Sequence, residues 1–231
     1  MDNTANNISC RNCNSASVCF KKLLPDELDY LDKHKSRVIF SKGETICKEG
    51  NFSSGVKFIT DGLVKVYIEG PNKRKIIVKL VNRGDFLGLS SLYGNTTYSY
   101  SATALRDTDA CMIAREAILD LILKSGDFGH EIVKWYCESY RLAYKKLESI
   151  GFKNLPGRVS DVLLYLDQPK FREEDVFKYL TRSDLAEMAG IPMESCVRVL
   201  SEFNESNIIQ TRGKEIRLLN TDMLKRISRA G

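Results

Sequence analysis

Residues 181–203 read TRSDLAEMAGIPMESCVRVLSEF. Thr181 with Asp184 three positions later makes a capping pair for a helix that ends at Gly190, with Ser183 as an alternative cap. Gly190-Ile191 supplies a tight turn, and Pro192 suits the first turn of a second helix, where its missing N–H is not needed. Two short helices across a glycine-containing turn predict a helix-turn-helix. The second helix sorts its faces: Cys196, Val199, Leu200 and Phe203 recur at i, i+3, i+4 and i+7, a core stripe. Glu194, Val197, Arg198 and Ser201 share the opposite face. That face carries base-reading chemistry: the Arg198 fork matches guanine O6 and N7, Glu194 accepts from a cytosine amino group, and Val197 meets a thymine methyl. Glu194 and Arg198 are equally an i, i+4 ion pair of a solvated helix, so this face alone does not decide function.

Working outward, RVSDVLLYLDQ before this stretch reads as a helix and IIQTRGKEIRLLN after it as a hairpin, completing a winged helix-turn-helix. Charge does not point to DNA by itself. Residues 151–231 hold 13 Lys or Arg against 12 Asp or Glu, and the whole chain carries only +5. Binding to a duplex must therefore rest on local placement. Thr181 and Arg182 at a helix start, Ser201 on the outward face, and Arg212 and Lys214 in the hairpin, with Arg217, are the expected phosphate contacts.

Further upstream, GFKNLPG at 151–157 collects helix breakers and marks a hinge. Before it, Val133, Tyr136, Tyr140, Ala143, Leu147 and Ile150 keep heptad spacing, with charged residues on the other faces. This predicts a helix that pairs in parallel with a second copy; the alternative is an amphipathic helix packed on its own domain. From Arg37 to Ile113 the chain is short, β-branched and punctuated by glycine, as in a double-sheet roll. Asp61-Gly62 lies directly between FIT and LVKVYI and predicts a hairpin. The expected fold class is α+β: a jelly roll, a long helix and a winged helix-turn-helix.

The leader holds SCRNCNSASVCF at 9–20, with three of the seven cysteines in ten residues. The start, MDNTANNIS, has neither the basic nor the apolar region of an export signal, and no uncharged apolar run is long enough to span a membrane. A cytoplasmic, reducing setting is expected, where clustered thiols serve as metal ligands or redox groups more often than as disulfides. Cys10, Cys13 and Cys19, spaced C-x2-C-x5-C, suit three thiolates around one corner of a metal cluster, and such clusters take four. Zinc uses the same thiols, a thiol-disulfide switch is open to them, and a leader that binds nothing remains an alternative. Cys47 on an early strand is a core residue or an alternative fourth ligand. Cys137 lies beside the helix seam, and Cys196 belongs to the core stripe.

The order of parts resembles the CRP/FNR superfamily of bacterial transcription regulators, most specifically at 181–203 and at GDFLGL, residues 84–89. The resemblance runs from about Ser9 to the C-terminus and is closest to the oxygen-responsive fumarate and nitrate reductase regulator branch, whose leader shares the spacing of Cys10, Cys13 and Cys19. It implies that Cys111, in TDACMIAREAIL, is the fourth ligand of a [4Fe–4S] cluster, a [2Fe–2S] form being also compatible. It implies further a homodimer that reads a two-fold symmetric site on double-stranded DNA through Glu194 and Arg198 and contacts RNA polymerase, not an enzyme. Two departures matter. Val197 stands where the oxygen-responsive branch often has serine, and it cannot donate a hydrogen bond. Cyclic-nucleotide binders of the superfamily carry a glutamate after GDFxG and an Arg-Ser or Arg-Thr some ten residues on; here Leu89 and an arginine-free Tyr98–Ser101 stand there, so no cyclic AMP is expected. The expected domains are a cysteine leader over 1–24, a roll over 25–118, a dimerisation helix region over 119–152 and the DNA-binding unit over 153–231. The rival readings are a regulator of this fold that senses through haem or another small ligand, and a cyclic-nucleotide module without a DNA role.

Overall fold

The computed structural model describes residues 9–13, 19–94 and 96–231. Residues 1–8 and 14–18 of the expected leader, and Asn95, lie outside the described residues. Helix α1 spans Pro25–Lys33. Proline occupies its first turn, and the Leu24 N–H donates to the Glu27 carboxylate at 2.8 Å, satisfying an N-terminal amide. Eight strands follow: β1 Lys35–Phe40, β2 Thr45–Cys47, β3 Gly55–Asp61, β4 Leu63–Glu69, β5 Lys75–Asn82, β6 Phe86–Leu87, β7 Ser101–Ala104 and β8 Thr108–Ala114. They form two four-stranded sheets, ordered β1-β8-β3-β6 and β2-β7-β4-β5.

Strand alternation divides the apolar residues of the first sheet between two cores. Val38, Ile59 and Ala110, in one row of the register, join Phe40, Val64 and Leu87 between the sheets. The next positions, Arg37, Cys111 and Phe58, form a row on the outer face, as do Lys35, Ile113 and Val56. Over that face lies a second core that includes Cys19, Phe20, Leu31, Phe86, Ile118 and Phe128.

The expected Asp61-Gly62 hairpin does not form. β3 and β4 belong to different sheets, and the chain turns a corner between them. Ile59 and Val64 both bury in the space between the sheets, which pairing within one sheet would not allow. Gly62 sits at φ +137, and a Cβ there would stand 2.5 Å from the Thr108 hydroxyl.

Helix α2 spans Arg115–Lys124 and helix α3 spans Gly126–Phe152, so the heptad stretch is one continuous helix that runs through Gly151. Helix α4, Leu155–Leu166, begins almost at once: the Asn154 side chain accepts from the Gly157 N–H at 2.9 Å. The break signalled by GFKNLPG thus narrows to Lys153-Asn154. The chain divides into two compact units, one holding 1–66 and 80–140, the other 67–79 and 141–231, and it passes from one to the other within α3. After α4 come the short α5, Pro169–Arg172, then α6 Arg182–Ala189, α7 Met193–Glu205, β9 Ile209–Arg212, β10 Glu215–Leu218 and α8 Thr221–Ala230. α4 packs against α6, α7 and α8, and α7 against β9. No helix among the described residues is long and apolar enough to cross a membrane.

Candidate metal centre and nucleic-acid interface

Cys111 sits mid-strand in β8, paired to Arg37 on one side and Phe58 on the other. Alternation sends its neighbour Ala110 inward and leaves the Cys111 thiol on the outer face, where the leader lies. There Cys10, Cys13 and Cys111 line one small cavity together with Phe20, Leu31, Lys35, Phe58 and Ile113. Cys19 is buried in the same apolar core, next to Phe20 in the chain. Residues a hundred positions apart in sequence are thereby brought to one corner of the roll.

Leader and sheet are fastened there by polar contacts that the sequence reading did not pick out. The Asp32 carboxylate, at the end of α1, accepts from the Ser9 hydroxyl at 2.7 Å and from the Cys10 N–H at 2.8 Å. It also pairs at 2.8 Å with the Lys35 ammonium, whose side chain is only 2% exposed. Lys35 in turn donates to the Cys10 sulfur at 3.1 Å. One turn earlier on α1, Asp29 pairs with Arg11. Burial would raise the Asp32 pKa, but the hydrogen bonds from Lys35, Ser9 and Cys10 outweigh it and hold the group at about 2. Burial pushes the Cys10 thiol up to about 12, with Lys35 acting in the opposite sense. Burial also raises the Cys111 thiol. A metal that binds these sulfurs must displace their protons.

The donor set is all sulfur, as iron–sulfur clusters require. Among the described residues, no three His, Cys, Asp or Glu side chains converge on one point. A tetrahedral zinc site needs that convergence, whereas a cluster takes one thiolate per iron and is met by sulfurs ringing a shared space.

Elsewhere in the roll, the region matched by GDFLGL and the following loop is filled by the chain's own side chains. Leu89 is buried, the Lys57 ammonium donates to the Tyr98 hydroxyl at 2.7 Å, and the Gly88 N–H donates to the Tyr100 hydroxyl at 2.7 Å.

The second candidate site is local. The Thr181 hydroxyl accepts from the Asp184 N–H at 3.1 Å, and the Asp184 carboxylate accepts from the Thr181 N–H at 2.8 Å, capping α6 reciprocally. Gly190 ends α6 at φ +65, and the Ile191 N–H returns to the Ala186 carbonyl at 3.1 Å. Cys196, Val199, Leu200 and Phe203 are all buried, while Glu194, Val197, Arg198 and Ser201 are exposed on the other face of α7. The Arg198 guanidinium lies 3.9 Å from Glu202, one turn on, so the pair suggested by sequence with Glu194 is replaced by a loose one and 68% of the Arg198 side chain faces solvent. Ser201 donates to Glu205 at 3.2 Å. In the hairpin, Arg212, Lys214 and Arg217 are exposed around a tip at Gly213. Arg182 donates to the Gly213 carbonyl at 2.8 Å, and the Asn204 side chain accepts from the Thr211 N–H at 2.9 Å. These two bonds tie the hairpin to both helices.

On α3, Val133, Tyr140 and Leu147 are exposed, while Tyr136, Ala143 and Ile150 are half-buried within the chain. Tyr136 rests against Trp135 and the outer core, and Ile150 lies against Gly190. The exposed stripe is completed by Cys137 and Tyr144.

Comparison with known proteins matches two families along the chain: the cyclic nucleotide-binding domain over residues 37–125 and the Crp-like helix-turn-helix domain over residues 157–227. The fumarate and nitrate reduction regulatory protein of Vibrio cholerae is 26% identical over 219 residues, covering 92% of this chain and 87% of that protein. The CRP-like cAMP-activated global transcriptional regulator of Mycobacterium tuberculosis is 24% identical over 214 residues, covering 91% of this chain and 96% of that protein. Among solved structures, a transcriptional regulator of the crp/fnr family from Eubacterium rectale superposes with a TM-score of 0.72, covering 92% of this chain and 98% of its own; at 18% identity the likeness speaks for the fold.

Proposed function

Because the chain belongs to the CRP/FNR family of DNA-binding transcription regulators, we propose that its grip on DNA is set by an iron–sulfur cluster held by Cys10, Cys13, Cys19 and Cys111. The observation that carries this reading is the shared cavity: three leader-and-strand cysteines face one another across it, and the fourth is buried beside it. A bound [4Fe–4S] cluster would supply a group that oxygen or nitric oxide destroys.

The chain's own residues connect that corner to the long helix. Phe20, next to Cys19, packs edge-on to Phe58 at 4.8 Å and to Phe86 at 5.4 Å, and stacks on Phe128 of α3 at 5.9 Å. Anchoring Cys19 anchors Phe20, and Phe20 holds the first turns of α3 against the outer core. The exposed α3 stripe then pairs with that of a second copy through Val133, Tyr140 and Leu147, with Cys137 and Tyr144 beside them. Such a homodimer sets two α7 helices one DNA turn, about 34 Å, apart on a palindromic site. Glu194, Val197 and Arg198 read base edges. Thr181, Arg182, Ser201, Arg212 and Lys214 meet phosphates, and the bound dimer contacts RNA polymerase in the cytoplasm.

The Mycobacterium relative favours a cyclic-nucleotide signal instead. Against it stand the buried Leu89 and the Lys57–Tyr98 bond, which occupy the region where the superfamily places its phosphate and ribose groups. The deciding experiment is anaerobic purification or reconstitution, with iron and sulfide analysis, an absorption spectrum, and binding to a palindromic duplex. Four irons and four sulfides per chain with tighter DNA binding are expected. A colourless protein with one zinc, or DNA binding that responds to cyclic AMP alone, overturns the reading.

A further inference from the structure

We infer that Lys35 is the cation that sets the electron affinity of the group held by the four cysteines, with Asp32 as its counterweight. The inference rests on the cluster reading above and extends it to residues outside the ligand set. Two cations of β1 project from the outer face of the sheet, Lys35 and Arg37, two residues apart. Arg37 is already committed: its guanidinium grips Asp109, with one bond at 2.8 Å. Lys35 is placed differently. Its side chain is almost wholly buried, it lines the cysteine cavity, and its ammonium stands 3.1 Å from the Cys10 sulfur.

A buried ammonium requires compensation, and only one formal charge is supplied, by Asp32 at 2.8 Å. Asp32 divides its oxygens among Lys35, the Ser9 hydroxyl and the Cys10 N–H. The remaining partner of Lys35 is a sulfur that becomes a thiolate when it binds metal. Hydrogen bonds to ligand sulfurs and the net charge nearby are the protein's main means of shifting the potential of an iron–sulfur group. An ammonium donating to a thiolate favours the more negative, reduced state; a carboxylate one atom layer further out opposes it.

Two single substitutions separate this role from a purely mechanical one. Lys35→Gln keeps a hydrogen-bond donor and removes the positive charge; Asp32→Asn keeps an acceptor for the Cys10 N–H and removes the negative charge. In anaerobically reconstituted full-length protein, a mediator-linked redox titration followed by absorbance is expected to give a lower midpoint for Lys35→Gln and a higher one for Asp32→Asn. Lys35→Arg should stay near wild type. If Lys35 and Asp32 only clamp the leader, both variants loosen it and shift the midpoint the same way, or leave it unmoved while iron is lost; either result overturns the inference. Should Lys35→Gln fail to load iron, the sign given by Asp32→Asn decides alone: upward supports, downward or unmoved overturns. A wild type that takes up no iron and sulfide overturns the functional reading and this one with it, whereas a loaded wild type with same-sign shifts overturns this one only.

Discussion

The two candidate sites are assembled in opposite ways. The helix-turn-helix is one unbroken stretch, 181–205, whose caps, turn and buried stripe are all set by residues within a few positions of one another. The cysteine corner draws on the leader, the end of α1, β1 and β8, and Cys10 reaches Cys111 only because two strands and a helix are already in place. A local site keeps its shape through its own hydrogen bonds. A site closed across a hundred residues must recover the entropy of closing that loop from contacts made elsewhere, or from a group that ties its ends together. The first suits a fixed reading head, and the second suits a switch.

The largest test of that contrast is Cys111→Ser. It should abolish cluster retention and, with it, the gain in DNA affinity on anaerobic loading, while circular dichroism and the buried stripe of α7 stay intact. Retained iron at wild-type stoichiometry would break the assignment. Next in size, Phe20→Ala should cost about 3–5 kcal/mol in denaturant unfolding, because a buried ring with three aromatic neighbours leaves a cavity. Hydrogen exchange should quicken in the first turns of α3 and not in α7; equal quickening in α7 would erase the distinction between the two regions. Arg198→Ala should cost about 1–3 kcal/mol at a preferred duplex and relax its sequence preference. A uniform loss on all sequences would move Arg198 from base reading to phosphate contact.

The smallest effect is a slope with pH. Lys146, on α3, donates to the Met188 carbonyl near the end of α6, and burial pulls its ammonium down from 10.5 to about 8. The unfolded chain keeps that proton to higher pH than the folded one. Between pH 8 and 10.5 the unfolded state therefore binds more protons, and stability rises with pH by at most about 1.4 kcal/mol per unit. Denaturant midpoints at pH 7.5 and 9.5 should differ more in wild type than in Lys146→Met. An equal difference in both would show that the ammonium is solvated.

What was legible in the sequence follows the same division. Thr181–Phe203 was readable in detail because capping, turn and i, i+3, i+4 burial are short-range rules. The roll was readable as a class from its strand lengths and glycines, but the Asp61-Gly62 corner was not. A two-residue turn looks the same in sequence whether its strands pair with each other or with others far along the chain. Lys35 and Asp32 escaped notice because their importance depends on β1 lying beside β8. A hint existed in the i, i+3 pair Asp29 and Asp32, which puts two carboxylates on one side of α1 opposite a leader containing Arg11. On α3, 133–147 supports two apolar stripes, through Tyr136 and Ala143 or through Cys137 and Tyr144. The packing of Trp135 and Tyr136 against the outer core, not periodicity, turned the second one outward.

The closing turns of α3 carry one further consequence. Lys146 reaches the Met188 carbonyl, and Ile150, one turn later on the same helix, lies against Gly190, where an added Cβ would stand 3.4 Å from it. Two grips, one turn apart, on the end of α6 and its turn leave little slack: if α3 rolls about its axis, the reading head is steered with it, like a rudder pinned to its shaft at two points.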